Sequence, residues 1–338
     1  MSASGSSLEL LFVSRGDVAR LALSDEEVLA AVEEVVAAQG RHEVALDPRV
    51  QHVPDPTFPG HFNVLRATVW PAGFTGVKVV GDYAGNYERG LPSELALVTL
   101  YEPRTGVPVA IVDGTEITER RTGALTGVGA RYLAPPDARI LAHVGARGTA
   151  FSNVLMLDHL FDFEEIRVTS RRDVSRRAFG AELERALGKP IRVTDTIRGA
   201  VDGADIVVEA TRLTAPEPIV KTAWLGECRF FVPYGTMSAL ELDVLDGMEK
   251  IVVDDLAQCL QDDAFGALRP HIRAGLLTAD NIHGELAEVV VGAKPGREEE
   301  RERILFWHRG LATTDVALAA LIYRRALAEG LGTVLTYR

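Results

Sequence analysis

Apolar residues follow two different rhythms along this chain. From Leu65 to Val112 they alternate with polar ones in four runs, LRATVW, GVKVV, LALVTLY and VPVAIVDG. The runs are separated by PAG, GDYAGNYERGLPS and EPRTG, which predicts antiparallel strands joined by turns. A strand-like LELLFVS comes first, and Ser24 to Ala38 then reads as an amphipathic helix. Ser24 is its N-cap, Glu27 completes a capping box, and Gly40 follows its end. Asp47 to Leu65, rich in Pro, Gly and His, reads as loop and edge strand. Thr118 to Leu133 predicts a helix capped by Thr118, with Ala124, Val128, Tyr132 and Leu133 on its inner face. Pro135-Pro136 then marks a domain boundary.

Beyond that boundary the rhythm becomes strand, helix, strand. Ile140 to Val144 predicts a short buried strand, Gly145 a tight turn, and the next stretch a helix with Phe151, Val154, Leu155 and Leu157 on its apolar side. This is how a dinucleotide-binding βαβ unit opens, with a pyrophosphate seated on the free N–H groups of the helix N-terminus. The turn reads Gly145, Ala146, Arg147, Gly148, Thr149, Ala150, so Arg147 stands where the second glycine of the fingerprint belongs. The strand EIRVTS follows at the spacing of the ribose-reading residue and ends in Ser170-Arg171-Arg172. An acidic residue there suits NAD, whereas two cations suit the 2′-phosphate of NADP. Asp173 to Leu187 and Thr196 to Gly203 predict further helices. IRVTD, ADIVVEAT, FFVPYG and KIVVDD predict further strands, and together they imply a parallel, doubly wound sheet. Its ligand would lie at the carboxyl ends, near Gly145, Arg171, Thr211 and Gly235. The charge run REEERER reads as a solvated helix face, and Thr313 to Glu329 as a helix closed by Gly330.

Length and charge narrow the function. With 338 residues, at roughly 150 per domain, two domains are expected. A net charge of -12 argues against nucleic acid or an anionic membrane as partner. Cys228 and Cys259 form neither a metal-spaced cluster nor a disulfide framework, which suits a reducing cytoplasm. No apolar run is long enough for a membrane span, and MSASGSS, without the features of a signal peptide, reads as a flexible start.

Three cations invite a functional reading. Lys78 lies inside an apolar strand, where it must either snorkel or meet a buried anion. Arg121, read as lying in a helix's first turn, opposes the helix dipole and suits a ligand better than the helix. Arg49 precedes the β-alternating QHV and could point into a cleft.

The order of landmarks resembles the ornithine cyclodeaminase/mu-crystallin family. They are Arg49; Lys78 with Asn86 and GLPS; Arg121-Thr122-Gly123-Ala124; the Gly145 to Ala150 turn; Ser170-Arg171; ADIVVEAT; Glu241-Leu242-Asp243; Gly284-Glu285-Leu286; and Gly310-Leu311-Ala312 with Asp315. The resemblance implies an α/β protein in which a Rossmann-type doubly wound domain, 136–310, is inserted in an α+β substrate and dimerisation domain, 1–135 plus 311–338. It implies homodimers, NADP or NAD as cofactor, and a small amino or imino acid as substrate. Arg49, Lys78 and Arg121 match the positions of the family's carboxylate clamp. Thr122, the Gly145 to Ala150 turn, Ser170, Arg171, Arg172, Thr211, Gly235 and His308 match its dinucleotide site. Substrate specificity would rest on loops such as Val53 to Phe62 and Asp82 to Arg89.

Two departures from the family pattern separate the possible reactions. Gly235 stands where cyclodeaminases carry an aspartate that serves the side-chain amine, and His308 stands where a small serine is usual. The first moves weight from a cyclodeaminase, which recycles NAD and releases ammonia, to an imine reductase or amino-acid dehydrogenase. The second makes His308, with Tyr234, a candidate proton donor beside Lys78. A non-catalytic, mu-crystallin-like binding protein is the third expectation, with Arg147 either pairing with phosphate or blocking the turn.

Overall fold

The computed structural model describes residues 7–338 except 56, 58, 59 and 262–264. The first six residues of the flexible start and part of the Val53 to Phe62 loop therefore lie outside the described residues. The chain divides into two compact units, 1–121 with 311–338, and 122–310.

The first unit opens with β1 (Glu9–Val13), α1 (Arg15–Leu21) and α2 (Asp25–Gly40). Next come β2 (Val44–Leu46), β3 (Val50–His52), β4 (Gly60–Val69), β5 (Phe74–Tyr83), β6 (Glu94–Tyr101) and β7 (Pro108–Asp113). α3 (Thr115–Leu133) carries the chain across the division, which falls between Arg121 and Thr122.

In the second unit, β8 (Ile140–Val144), α4 (Ala150–Leu160), β9 (Glu165–Thr169), α5 (Asp173–Leu187), β10 (Arg192–Val193) and α6 (Ile197–Val201) alternate. β11 (Ile206–Glu209), β12 (Phe230–Pro233) and β13 (Lys250–Val253) follow. The unit ends with α7 (Leu256–Leu260), α8 (Arg269–Arg273), β14 (Gly284–Glu285), α9 (Leu286–Val290) and β15 (Ile304–Trp307). The chain then returns to the first unit as α10 (Ala312–Glu329) and β16 (Thr333–Thr336).

The first unit is a sheet in the order β16-β1-β7-β6-β5-β4-β2, with β3 also on β4. Among the described residues only the β1–β7 pair is parallel, so the hairpin reading of 65–112 holds. Alternation buries Leu65, Ala67 and Val69 of β4, Lys78 and Val80 of β5, and Ala96, Val98 and Leu100 of β6. α10 lies on that face so closely that a Cβ on Gly76 would stand 2.5 Å from the side chain of Val316. α2 packs against α10 with Val28, Leu29, Val32 and Val36 buried, and its capping box forms as expected, with Gly40 the last helical residue rather than the one beyond. The opposite sheet face leaves Val79, Leu95 and Leu97 between 41% and 50% exposed.

The second unit is an entirely parallel sheet in the order β10-β9-β8-β11-β12-β15-β13-β14. β11, β12, β13 and β15 are buried at every position, as parallel strands covered on both faces must be. The order reverses between β8 and β11, and the crevice at the carboxyl ends of those strands is where such sheets bind ligands.

Several local expectations give way. α3 starts at Thr115, where the Thr115 N–H donates to Asp113 Oδ1, so Thr118 is an interior residue whose hydroxyl donates to Gly114 O. Arg121 consequently lies in the second turn, and the dipole argument for it lapses. The buried face of α4 holds Ser152, Asn153, Val154, Met156 and Leu157, while Phe151 and Leu155 are only half-buried. REEERER forms no helix. Arg297 instead donates to the carbonyls of Leu133, Arg229 and Glu302, and Glu298 and Glu302 neutralise the buried Lys250. The run ties irregular chain to the sheet. Both cysteines are buried and free.

Candidate functional site

The switch point is built from chain that only particular residues can form. Gly145 leaves β8 at φ +117°, and a Cβ there would stand 2.6 Å from the carbonyl oxygen of Ala210 at the end of β11. Both the backbone angle and the close approach demand glycine. Gly148 meets nothing within 4 Å but adopts φ +60°, so its conformation alone requires glycine. Ala146 is half-buried, and Arg147 is exposed at the surface of the turn. Thr149 is the N-cap of α4, yet its side chain does not cap the helix. Its hydroxyl lies 2.5 Å from Tyr234 Oη, which also accepts from Asn153 Nδ2 at 2.6 Å. Tyr234 thus fastens the end of β12 to the start of α4.

The other expected dinucleotide residues lie at neighbouring strand ends. Ser170, Arg171 and Arg172 follow β9, Thr211 follows β11, Gly235 follows β12 and His308 follows β15. Arg171 and Arg172 are exposed, and neither guanidinium has an ion-pair partner among the described residues. The next residue, Asp173, is engaged by Arg176 and Arg177. His308 is buried, with Nε2 3.0 Å from Thr126 Oγ1 and its ring stacked on Tyr234 at 4.9 Å. Thr122 lies one turn before Thr126 on α3 and is also buried. The polar atoms proposed as proton donors, His308 Nε2 and Tyr234 Oη, are thus already engaged inside the protein.

The sequence reading missed the group at the centre of these strand ends. Glu209, the last residue of β11, is fully buried. Thr211 donates to its Oε1 from both backbone and hydroxyl, while Oε2 has no hydrogen-bond partner among the described residues. Burial without a paired cation pushes this carboxyl up to about 7. A Cβ on Gly235 would stand 2.6 Å from Oε2. The position that lacks a carboxylate in sequence therefore borders a carboxyl supplied by the adjacent strand.

In the first unit the buried anion that Lys78 demands is Asp315. Lys78 Nζ is 2.6 Å from Asp315 Oδ1 and donates to Thr118 Oγ1 at 3.3 Å. Arg121 Nε lies 3.1 Å from the same aspartate oxygen, and Oδ2 has no hydrogen-bond partner among the described residues. Lys78 and Asp315 are each about 1% exposed. Asp315 sits in the first turn of α10, where the helix dipole favours a negative charge. Burial outweighs the aspartate and brings the Lys78 ammonium down to about 8. Arg49 is half-buried just before β3. The β3–β4 register, continued by one residue beyond Val50↔Val64, sets Arg49 level with Leu65, which pairs with Lys78.

The chain is similar over nearly its whole length to known proteins. The model of the ornithine cyclodeaminase/mu-crystallin family matches residues 9–330. A Δ1-pyrroline-2-carboxylate reductase of Bacillus cereus is 32% identical over 78% of this chain and 80% of its own length. The Thermococcus litoralis Δ1-pyrroline-2-carboxylate reductase, solved with NADH and L-proline, superposes with a TM-score of 0.89 at 31% identity, covering 96% of this chain and 99% of that one. An archaeal alanine dehydrogenase dimer with bound NAD gives 0.88 at 28%, covering 98% and 100%. By the near-complete family match, the chain belongs to the ornithine cyclodeaminase/mu-crystallin family.

Proposed function

We propose that the protein is a nicotinamide-dinucleotide-dependent reductase of a small α-imino acid, able to run in reverse as an amino-acid dehydrogenase. The observation that carries this reading is the glycine turn at the switch point of a wholly parallel sheet. The pyrophosphate would seat on the turn from Gly145 to Ala150, with Arg147 at its exposed edge. When bound, the dinucleotide supplies the hydride. Thr211 and Gly235 border the same strand ends, and Tyr234, Thr149 and Asn153 hold the turn in place. His308 supports this packing through Thr126 and the Tyr234 ring, and we assign proton transfer elsewhere.

The substrate carboxylate would be held by Arg121 and Arg49, with Asp315 fixing Arg121 and Lys78 in place. Lys78 is the proton carrier of this scheme, because its ammonium sits near neutrality rather than far above it. The lyase alternative is weaker: position 235 offers no side chain, and Glu209 is too enclosed to receive a substrate amine. The relatives point the same way, being reductases of pyrroline-2-carboxylate and a dehydrogenase of alanine.

The cofactor and the assembly are also proposals. Arg171 and Arg172, unpaired at the end of β9, favour NADP over NAD as the working cofactor. Val79 and Leu97 are cross-strand partners on the exposed sheet face, with Leu95 beside them. We propose that this face joins two copies of the chain, since a contiguous apolar patch of this kind marks an interface.

Adding a cyclic α-imino acid to protein and NADPH should oxidise the dinucleotide without releasing ammonia. Ammonia release with no net oxidation would contradict the reading. Arg171→Ala should raise the KM for NADPH about tenfold while leaving that for NADH nearly unchanged. An equal effect on both would remove the phosphate role. kcat/KM for imine reduction should fall as pH rises through about 8, where Lys78 loses its proton. Lys78→Met should lower kcat by about 10²-fold or more and abolish that limb; an unchanged pH profile would reassign the proton. Leu97→Glu should convert a dimer into monomers in light scattering, and a wild-type monomer would refute the interface.

A further inference from the structure

Glu209 is an unusual occupant of the centre of this sheet. It ends a strand buried at every position, and its ionised form would have no compensating cation among the described residues. Its Oε1 is satisfied twice by Thr211, and its Oε2 is orphaned in a space that exists because residue 235 has no side chain. β11 pairs with β8, whose terminal Val144 lies opposite Glu209, and Gly145 presses on the carbonyl of Ala210 next to it. The carboxyl therefore lies one strand from the turn on which a pyrophosphate would be seated.

Ionisable groups also stand on the neighbouring strands and on the segments that follow them. They are His143 in β8, Arg147 in the turn beyond, Arg212 after Thr211, Tyr234 after β12 and His308 after β15. Burial pulls His143 down to about 4, so its imidazole is neutral. Tyr234 is bound to Thr149 and Asn153, His308 to Thr126, and Arg147 is exposed. Burial is what raises the Glu209 carboxyl, and the hydrogen bonds from Thr211 oppose it only in part.

We propose that Glu209 is the proton-holding group of the dinucleotide site, and that seating an anionic pyrophosphate at the Gly145 turn is accompanied by uptake of up to one proton on Glu209 Oε2. The proposal rests on the dinucleotide reading above. The proton comes from solvent, no covalent bond to the ligand forms, and the residue acts by positioning Thr211 and Gly235 rather than by touching ligand. The sign follows from repulsion: a second negative charge nearby disfavours the ionised carboxyl, so the bound state holds more protons than the free one. Affinity should therefore weaken as pH rises.

The test is calorimetric titration of the full chain with NADH and separately with NADPH, between about pH 7 and about pH 9, in buffers of different ionisation enthalpy. The expected result is proton uptake in the wild type, and a Kd that rises by up to about tenfold per pH unit. In Glu209→Gln, binding should persist with no uptake and a flat pH dependence. Uptake that persists in Glu209→Gln, or none in the wild type, overturns the proposal. Should that variant fail to fold, infrared difference spectra of wild type labelled at glutamate carboxyls keep the question open to measurement. A protonated-carboxyl band should grow on adding dinucleotide, and its absence refutes the idea. Gly235→Ala adds a separate check. Its Cβ should displace the carboxyl and abolish uptake, and full uptake retained in that variant would count against the proposal. Failure to bind either dinucleotide would overturn the reductase reading as well, and that outcome is distinct from binding without uptake.

Discussion

The approach of Gly145 to the carbonyl of Ala210 is the constraint on which the second unit depends. Two neighbouring strands can end at the same level only if the first turns away without a side chain, and at φ +117° no other residue turns this way without strain. That turn starts α4 beside the ends of β9, β11, β12 and β15. Thr149, Arg171, Thr211, Gly235 and His308 are thereby gathered from stretches far apart in sequence. The parallel order makes this possible, since every strand delivers its carboxyl end to the same edge of the sheet.

Buried charge is the second organising force, and the two units handle it differently. In the first, Lys78 and Arg121 share the carboxylate of Asp315, whose place in the first turn of α10 lowers the cost of burying it. In the second, Glu209 has hydrogen bonds but no paired cation among the described residues, and burial raises its carboxyl to about 7. Both solutions leave a group able to change charge under ordinary conditions. Such groups mark functional sites far more often than packing alone would place them.

Much of this was legible in the sequence, for identifiable reasons. Hairpin turns, the parallel strands and the Gly145 turn follow from period, length and glycine placement. Lys78 stood out as a charge inside an apolar run, and the same logic applied to Glu209 in ADIVVEAT would have found it. Its position as the last strand residue, where a polar side chain usually marks the exit, concealed it. Asp315 was named only as a landmark, and its role stayed hidden because an aspartate in a helix's first turn is ordinary until strand β5 brings a lysine to it. ILFW was not read as a strand, although it forms β15 in the interior of the sheet. A run of four apolar residues followed closely by a helix has no periodicity of its own. REEERER misled because composition cannot distinguish a solvated helix from chain whose charges are spent on carbonyls and a buried lysine.

The central claim is direct transfer of hydride from a nicotinamide to the imine carbon of a small imino acid. Its most direct measurement uses NADPH carrying deuterium at the transferring position of the nicotinamide, with the label located in the product by mass spectrometry and NMR. The account predicts one deuterium at Cα for each dinucleotide oxidised. Product without deuterium at Cα, or turnover in which the labelled dinucleotide emerges still reduced and ammonia is released, would contradict it.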